Sequence, residues 1–255
     1  MKLLIKKIAK TNLGIYLRNT FNIRPLDMTV YNLSYASVSD AFVWRTDNNF
    51  TTKFKYSDIL DIFFKIKNSW VEFHFFSKDG KLIKIEKINN LNLSNELEIN
   101  SKYLDGVEDY GTFYIYHYSE SAIEEENIIS NRCYLGYSQN QNLFSFVHGN
   151  TLAKFTKISN DGTTSSDIVK TSLLQNQFYK IQKYFEDFEK SELFFSNPTS
   201  KVIMFSVENK NYKLNPECSK IIAIKDSIIT IKSNCLFFRP TVFNYKNNYI
   251  DVHHA

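Results

Sequence analysis

Glycine is scarce in this sequence. Seven residues are spread singly over 255 positions, so a loop that cradles phosphate with successive backbone amides is hard to build. No GxGxxG, P-loop, GxSxG or HExxH pattern occurs, which disfavours nucleotide-dependent chemistry and the familiar hydrolase signatures. Proline is scarcer still, with four residues, so turns rely on Asn, Asp and Ser. The three cysteines, Cys133, Cys218 and Cys235, are odd in number and far apart, with no CxxC pair. That spacing excludes a zinc ribbon or a dithiol redox motif and reads as thiols buried in a reducing compartment. Long apolar runs are absent: nothing approaches the ~18 residues a membrane-spanning helix needs. Lys6, Lys7 and Lys10 interrupt the opening stretch, so it lacks the continuous apolar region of a secretory signal. A cytoplasmic location is the expectation.

What is abundant is aromatic. The chain carries 22 Phe and 16 Tyr, with 43% hydrophobic and 23% charged residues, a globular composition with material for a large core. Formal net charge is +4, yet no long Lys/Arg block occurs outside the first 18 residues, and nucleic acid is a disfavoured partner. Leu4, Ile8 and Ile15 fall near helical spacing beside Lys2, Lys6 and Lys10. This predicts a short N-terminal helix packed on its own domain, with a basic amphipathic helix touching a membrane as the alternative.

Most of the remainder reads as strand. In "WVEFHFFSKDGKLIKIEKI" (70–88) Val71, Phe73 and Phe75 alternate with Glu72 and His74, and Ile83 and Ile85 with Lys84 and Glu86, about an Asp79-Gly80 turn. Such period-two patterning is a hairpin signal. "GTFYIYHYS" (111–119) alternates as a half-buried strand does. Further strands are expected at 40–47, 50–56, 132–138, 143–149, 152–158, 178–185, 192–196, 201–207, 220–225, 227–233 and 240–245. Short helices are expected in "YSDILDIFFKI" (56–66), capped by Ser57, and in the acidic "SESAIEEENII" (119–129).

A faint echo relates "SKDGKLIKIEKINNLNLSNELEI" to "NPTSKVIMFSVENKNYKLNPECSKIIAI": a turn, a strand, an Asn/Lys loop, then Leu-Asn and a short strand. The expected fold is therefore all-β, an antiparallel β-sandwich. It is read either as one continuous domain or as two stacked immunoglobulin-like lobes over 1–158 and 178–255, with the boundary within 159–177.

Candidate site residues come in two groups. In "FVWRTDNNF" Trp44, Arg45 and Asp47 precede or open a turn, where an indole and a guanidinium can stack on and clamp a sugar or carboxylate. His148 and Asn150 in "SFVHGN" are placed at a sheet rim, after Phe144 and Phe146, which are read as buried on the same face. Arg239 in "FFRPTVF" is a second candidate cation. The alternative uses the ending "YIDVHHA": Asp251 and His253 share one face of a strand, and with His148 they would ligate a divalent metal if the fold brought them together. The carboxylates of "LDGVEDYG" have no calcium-loop spacing and read as an ordinary loop.

The segments "SDAFVWRTDNNFTTKF" (39–54), "GYSQNQNLFSFVHGN" (136–150), "LFFSNPTSK" (193–201) and "FRPTVFNYKNNYIDVHHA" (238–255) together resemble a group of uncharacterised bacterial proteins associated with surface-polysaccharide biosynthesis clusters. The resemblance implies a cell-envelope glycan context and a sandwich fold, and it assigns no catalytic residue. The expectation is a protein that binds a glycan, a glycan precursor or an assembly partner. The alternatives are a histidine-dependent, metal-assisted enzyme acting on carbohydrate, and a structural module that pairs through an open strand edge.

Overall fold

The computed structural model describes residues 8, 11–20, 36–120, 128–130, 133–149, 152–159, 162–171, 177–182, 188–225, 228–235 and 238–255. Helix α1 covers Asn12–Thr20. It starts at Thr11, whose Oγ1 accepts from Gly14 N at 3.1 Å, satisfying one of the donors a helix start leaves open. Its Leu13, Tyr16 and Leu17 are exposed instead of packed on the body of the protein.

The first half carries β1 (Ala36–Asp40), β2 (Phe42–Arg45), β3 (Phe50–Ser57), helix α2 (Ile59–Phe64), β4 (Ser69–Ser77), β5 (Leu82–Asn89), β6 (Ser94–Ile99) and β7 (Tyr110–Ser119). It continues with β8 (Ile128–Ser130), β9 (Tyr134–Gln139), β10 (Ser145–His148), β11 (Leu152–Ser159) and β12 (Gly162–Asp167). The second half carries β13 (Gln177–Gln182), β14 (Lys190–Ser196), β15 (Ile203–Val207), β16 (Lys210–Leu214), β17 (Ser219–Ile224), β18 (Ile228–Ser233), β19 (Thr241–Lys246) and β20 (Tyr249–His254). The chain is thus mostly strand, in antiparallel sheets, as its alternation predicts; β1 and β8 are the one parallel pair among the described strands.

The described strands form five four-stranded sheets, and four of these repeat one plan. In the first half the orders are β2-β7-β4-β5 and β10-β9-β3-β6; in the second they are β13-β18-β15-β16 and β20-β19-β14-β17. Replacing β2 to β7 by β13 to β18, and β9 and β10 by β19 and β20, converts one pair of sheets into the other. The faint sequence echo marks this duplication: Leu91-Asn92 precedes β6, and Leu214-Asn215 precedes β17, its counterpart. The fifth sheet, β12-β11-β1-β8, lies outside the repeat. Its β12 falls inside the stretch expected to be a boundary.

Within each unit the two sheets meet through their apolar faces. Phe54 of β3 lies 5.8 Å from Phe73 of β4 and 4.9 Å from Phe113 of β7, ring to ring. In the second unit Phe195 of β14 lies 4.8 Å from Phe205 of β15. The first core does not stop at the unit boundary, because Phe194, Phe243, Ile250 and Val252 of the second unit belong to it. Burial of such rings, edge to face about Phe54, is the dominant stabilising contribution here.

Three local expectations change. Strand β7 is buried on both faces: Phe113 and Ile115 face the first core, while Tyr114, Tyr116 and Tyr118 pack with Ala41 and Ala153. Strand β1 covers that second face, with Ser39 and Ser37 accepting from the backbone N–H of Ile115 and His117. Helix α2 is capped by Asp58, whose carboxylate accepts from Asp61 N, while Ser57 closes β3. Of the segment expected as an acidic helix, residues 121–127 lie outside the described residues and Ile128–Ser130 is strand β8.

Candidate functional site

Trp44 and Arg45 were the leading ligand-binding candidates, and both are fully buried. Trp44 Nε1 donates to the Phe76 carbonyl at 2.9 Å. Arg45 makes a two-point bond to Asp47, with Nε to Oδ1 at 2.9 Å and Nη2 to Oδ2 at 2.7 Å. Its Nη1 donates to Glu192 Oε2 at 2.9 Å and to the Tyr245 hydroxyl at 2.8 Å. The guanidinium lies 4.0 Å from the centre of the Phe50 ring and 4.9 Å from that of Phe243. Burial disfavours the carboxylate of Glu192, but donation from Lys190, Tyr245 and Arg45 outweighs it and holds the pKa below the ordinary value. Burial also pushes the Tyr245 phenol up, so it stays a neutral donor. The arginine therefore joins the two units from inside and presents no face to a ligand.

Arg239 is exposed between buried Phe238 and Pro240, and Asn150 lies outside the described residues.

The metal set does not assemble. The ring of His148 meets His254, with centroids 4.9 Å apart, and His254 Nε2 lies 2.6 Å from the His148 carbonyl. Asp251 and His253 occupy the opposite face of β20, where Asp251 Oδ2 contacts His253 Nδ1 at 3.2 Å and accepts from Asn244 Nδ2 at 3.1 Å. Alternation along β20 separates the two pairs. Among the described residues, no group of three or more His, Cys, Asp or Glu side chains is placed to hold a metal ion.

A different surface collects the chemistry. Register across β10, β9, β3 and β6 sets two rows side by side on the face turned away from the first core. One row is Phe146, Gly136, Lys53 and Glu98; the next is His148, Tyr134, Lys55 and Glu96. Phe144 and Phe146, expected to be buried, belong to this outward face, with ring centres 6.0 Å apart. Tyr134 is 60% exposed and Phe146 44%. Lys53 Nζ stands 4.9 Å from the Phe144 ring centre and Lys55 Nζ 5.4 Å from that of Phe146. Glu96 meets Lys53 Nζ at 2.8 Å, and this contact, opposed by desolvation, raises the lysine pKa and lowers that of the carboxyl.

At one end of this face, where β3 begins and β6 and β9 end, lies a polar cleft of about 400 Å³. Thr51, on the same face as Lys53 and Lys55, lines it with Asn49, Asn100, Ser101, Glu108 and Asn140. Two turns meet here: Asn140 N donates to the Asn49 carbonyl at 3.1 Å, and Asn49 Nδ2 to Asn140 Oδ1 at 3.1 Å. Asn48, Asn49, Asn140 and Gln141 all take left-handed backbone (φ 49°, 60°, 54° and 61°). Asparagine tolerates this conformation best among non-glycine residues, and it serves here to close two tight turns in a chain with little glycine.

The aromatic face was missed in the sequence because it is read in pairs of strands. The signal was present: Lys53 and Lys55 alternate with Thr52, Phe54 and Tyr56, so their face points outward, and Gly136 leaves room for a ring opposite it.

The chain matches no protein-family model, no curated protein and no solved structure. Among the described residues, no helix is long and apolar enough to cross a membrane.

Proposed function

We propose that the protein is a glycan-binding accessory factor in bacterial surface-polysaccharide production, built as two immunoglobulin-like β-sandwich units, and that it binds its ligand on the outer face of the first. One observation carries this reading: exposed Tyr134 and Phe146, with half-buried Phe144 beside Phe146, lie on one outer face of a sheet, bordered by Lys53, Lys55 and Glu96. A pyranose ring has one apolar C–H face and a rim of hydroxyls. It stacks on aromatic rings and hydrogen-bonds to flanking charges and amides, which the adjoining cleft supplies. The resemblance of the sequence to proteins of polysaccharide clusters supports the same context, with a glycan or a glycan precursor as ligand.

The test is calorimetric titration with bacterial polysaccharide fragments. Phe146→Ala combined with Tyr134→Ala is expected to weaken binding at least ten-fold (about 1.4 kcal/mol) in a protein that still folds, its melt lowered only by the loss of the ring over Gly136. Unaltered affinity, or no binding to any fragment, would remove the proposal.

A second reading is favoured by the duplication. The equivalent face of the second unit, carrying Phe194, Phe243 and Tyr245, is covered by the first unit through Tyr110, Tyr137 and Phe50. A protein partner docking on the first unit's open face would repeat that contact. Loss of a partner complex in the same double variant, with no glycan bound by the parent protein, would select it.

A further inference from the structure

The net charge of the chain is confined to one segment. Residues 1–26 hold six cations, Lys2, Lys6, Lys7, Lys10, Arg18 and Arg24, and no carboxylate. The remaining residues carry 25 Lys and Arg against 27 Asp and Glu, a net −2. Within this cationic stretch stands α1, with Leu13, Tyr16 and Leu17 at i, i+3 and i+4, hence on one face. They are 68%, 65% and 44% exposed. An apolar stripe of this kind beside concentrated positive charge is the arrangement that lies in a lipid headgroup layer, rings and aliphatic chains down and cations among the phosphates.

We propose that α1 and the cationic stretch around it seat the protein on an anionic bilayer surface. Charge selects this occupant over a second copy of the chain, because pairing two such segments would bring twelve cations together with no carboxylate between them. The aromatic face of the first unit plays no part, so glycan and lipid binding are separable.

The test is co-sedimentation of the full chain with vesicles of phosphatidylcholine alone or with roughly a third phosphatidylglycerol. Binding is expected to the anionic vesicles only, falling steeply as salt rises from about 0.1 M to about 1 M. Lys6→Gln with Lys7→Gln is expected to weaken it at least ten-fold, since each cation near the surface contributes about five-fold. Leu13→Glu with Leu17→Glu is expected to abolish it; both side chains are exposed, so the melt and glycan titration should not move. Equal binding to both vesicle types, or no binding to either, would overturn the proposal. So would self-association of the parent protein that the leucine variant abolishes, because the stripe would then be an interface between copies.

Discussion

The Phe146 ring covers Gly136. A β-carbon at residue 136 would stand 2.5 Å from Phe146 Cε1 and 2.8 Å from Cζ, and the two residues are direct cross-strand partners. A glycine in a strand leaves backbone exposed and adds no packing, and an aromatic ring from the neighbouring strand repairs both defects. Here the ring that does so is also half exposed, so the repair and the proposed binding surface are the same side chain.

Gly136→Ala is therefore expected to separate stability from binding. The atoms in the way are the tip of a half-exposed ring that can swing outward, so stability should fall by no more than about 1 kcal/mol. The ring would leave its place in the row, and glycan affinity should fall several-fold. A melt and a calorimetric titration on one sample check both. Unchanged affinity would show that the placement of Phe146 is not part of the site.

Arg45 makes a contrasting case, because its partners are buried with it. Arg45→Met leaves Glu192 without its guanidinium in a site that is 7% exposed, and breaking such a pair costs about 3–5 kcal/mol. Arg45→Lys should recover little, since an ammonium cannot reproduce the two-point bond to Asp47 or the planar contact with Phe50 and Phe243. Adding Glu192→Gln to Arg45→Met should restore part of the loss by removing a buried carboxylate left with only Lys190 and Tyr245 as partners. Urea unfolding of the parent, the two Arg45 variants, Glu192→Gln alone and the double variant measures it, and additive effects in the double variant would contradict the coupling.

These two residues also show what the sequence made legible. The β4–β5 hairpin could be read from alternation about Asp79-Gly80 because every determinant lies within 20 residues. The duplication left one trace, Leu-Asn before β6 and before β17. Arg45 reads equally as clamp or core, and the deciding partner, Glu192, is 147 residues away. Strand β7 alternates as if one face were wet; only β1 and β11, placed over its tyrosines, make it wholly buried. Strand β6 carries Glu96 and Glu98 where an apolar pattern is sought, since its outward face bonds lysines of β3 instead of facing a core. The aromatic face depends on the register of four strands, which no single strand encodes.

A second polar junction between the units is expected to be equally sensitive. Glu217 accepts from the Tyr114 hydroxyl at 2.7 Å and from the ammonium of Lys154, which is 8% exposed and also faces Asp167 at 3.4 Å. Glu217→Ala removes the better partner of a buried cation and the acceptor of a buried phenol, and should cost about 2–3 kcal/mol. Tyr114→Phe tests the share of the hydroxyl and should cost about 1 kcal/mol. Equal losses in the two variants would mean that the ammonium of Lys154 draws nothing from Glu217.

Stability should fall between pH 7 and 5, and His117 supplies the reason. Its ring is 1% exposed, and burial lowers its pKa to about 3, against an ordinary value near 6.5. A histidine held neutral in the fold but free to protonate when unfolded contributes stability that is fully present above pH 6.5. That contribution declines as pH falls toward 3, because the unfolded chain takes up the proton. The slope is about 1.4 kcal/mol per pH unit, so about 2 kcal/mol should be lost at pH 5. Glu192 does not contribute in this window: its carboxyl is lowered below 4.5, so its share is lost only at more acid pH. Urea unfolding at pH 7.5 and 5.0 should show the difference in the parent protein and lose it in His117→Gln, whatever that variant's overall stability. A parent protein equally stable at both values would mean that His117 is protonated in the fold, against its burial.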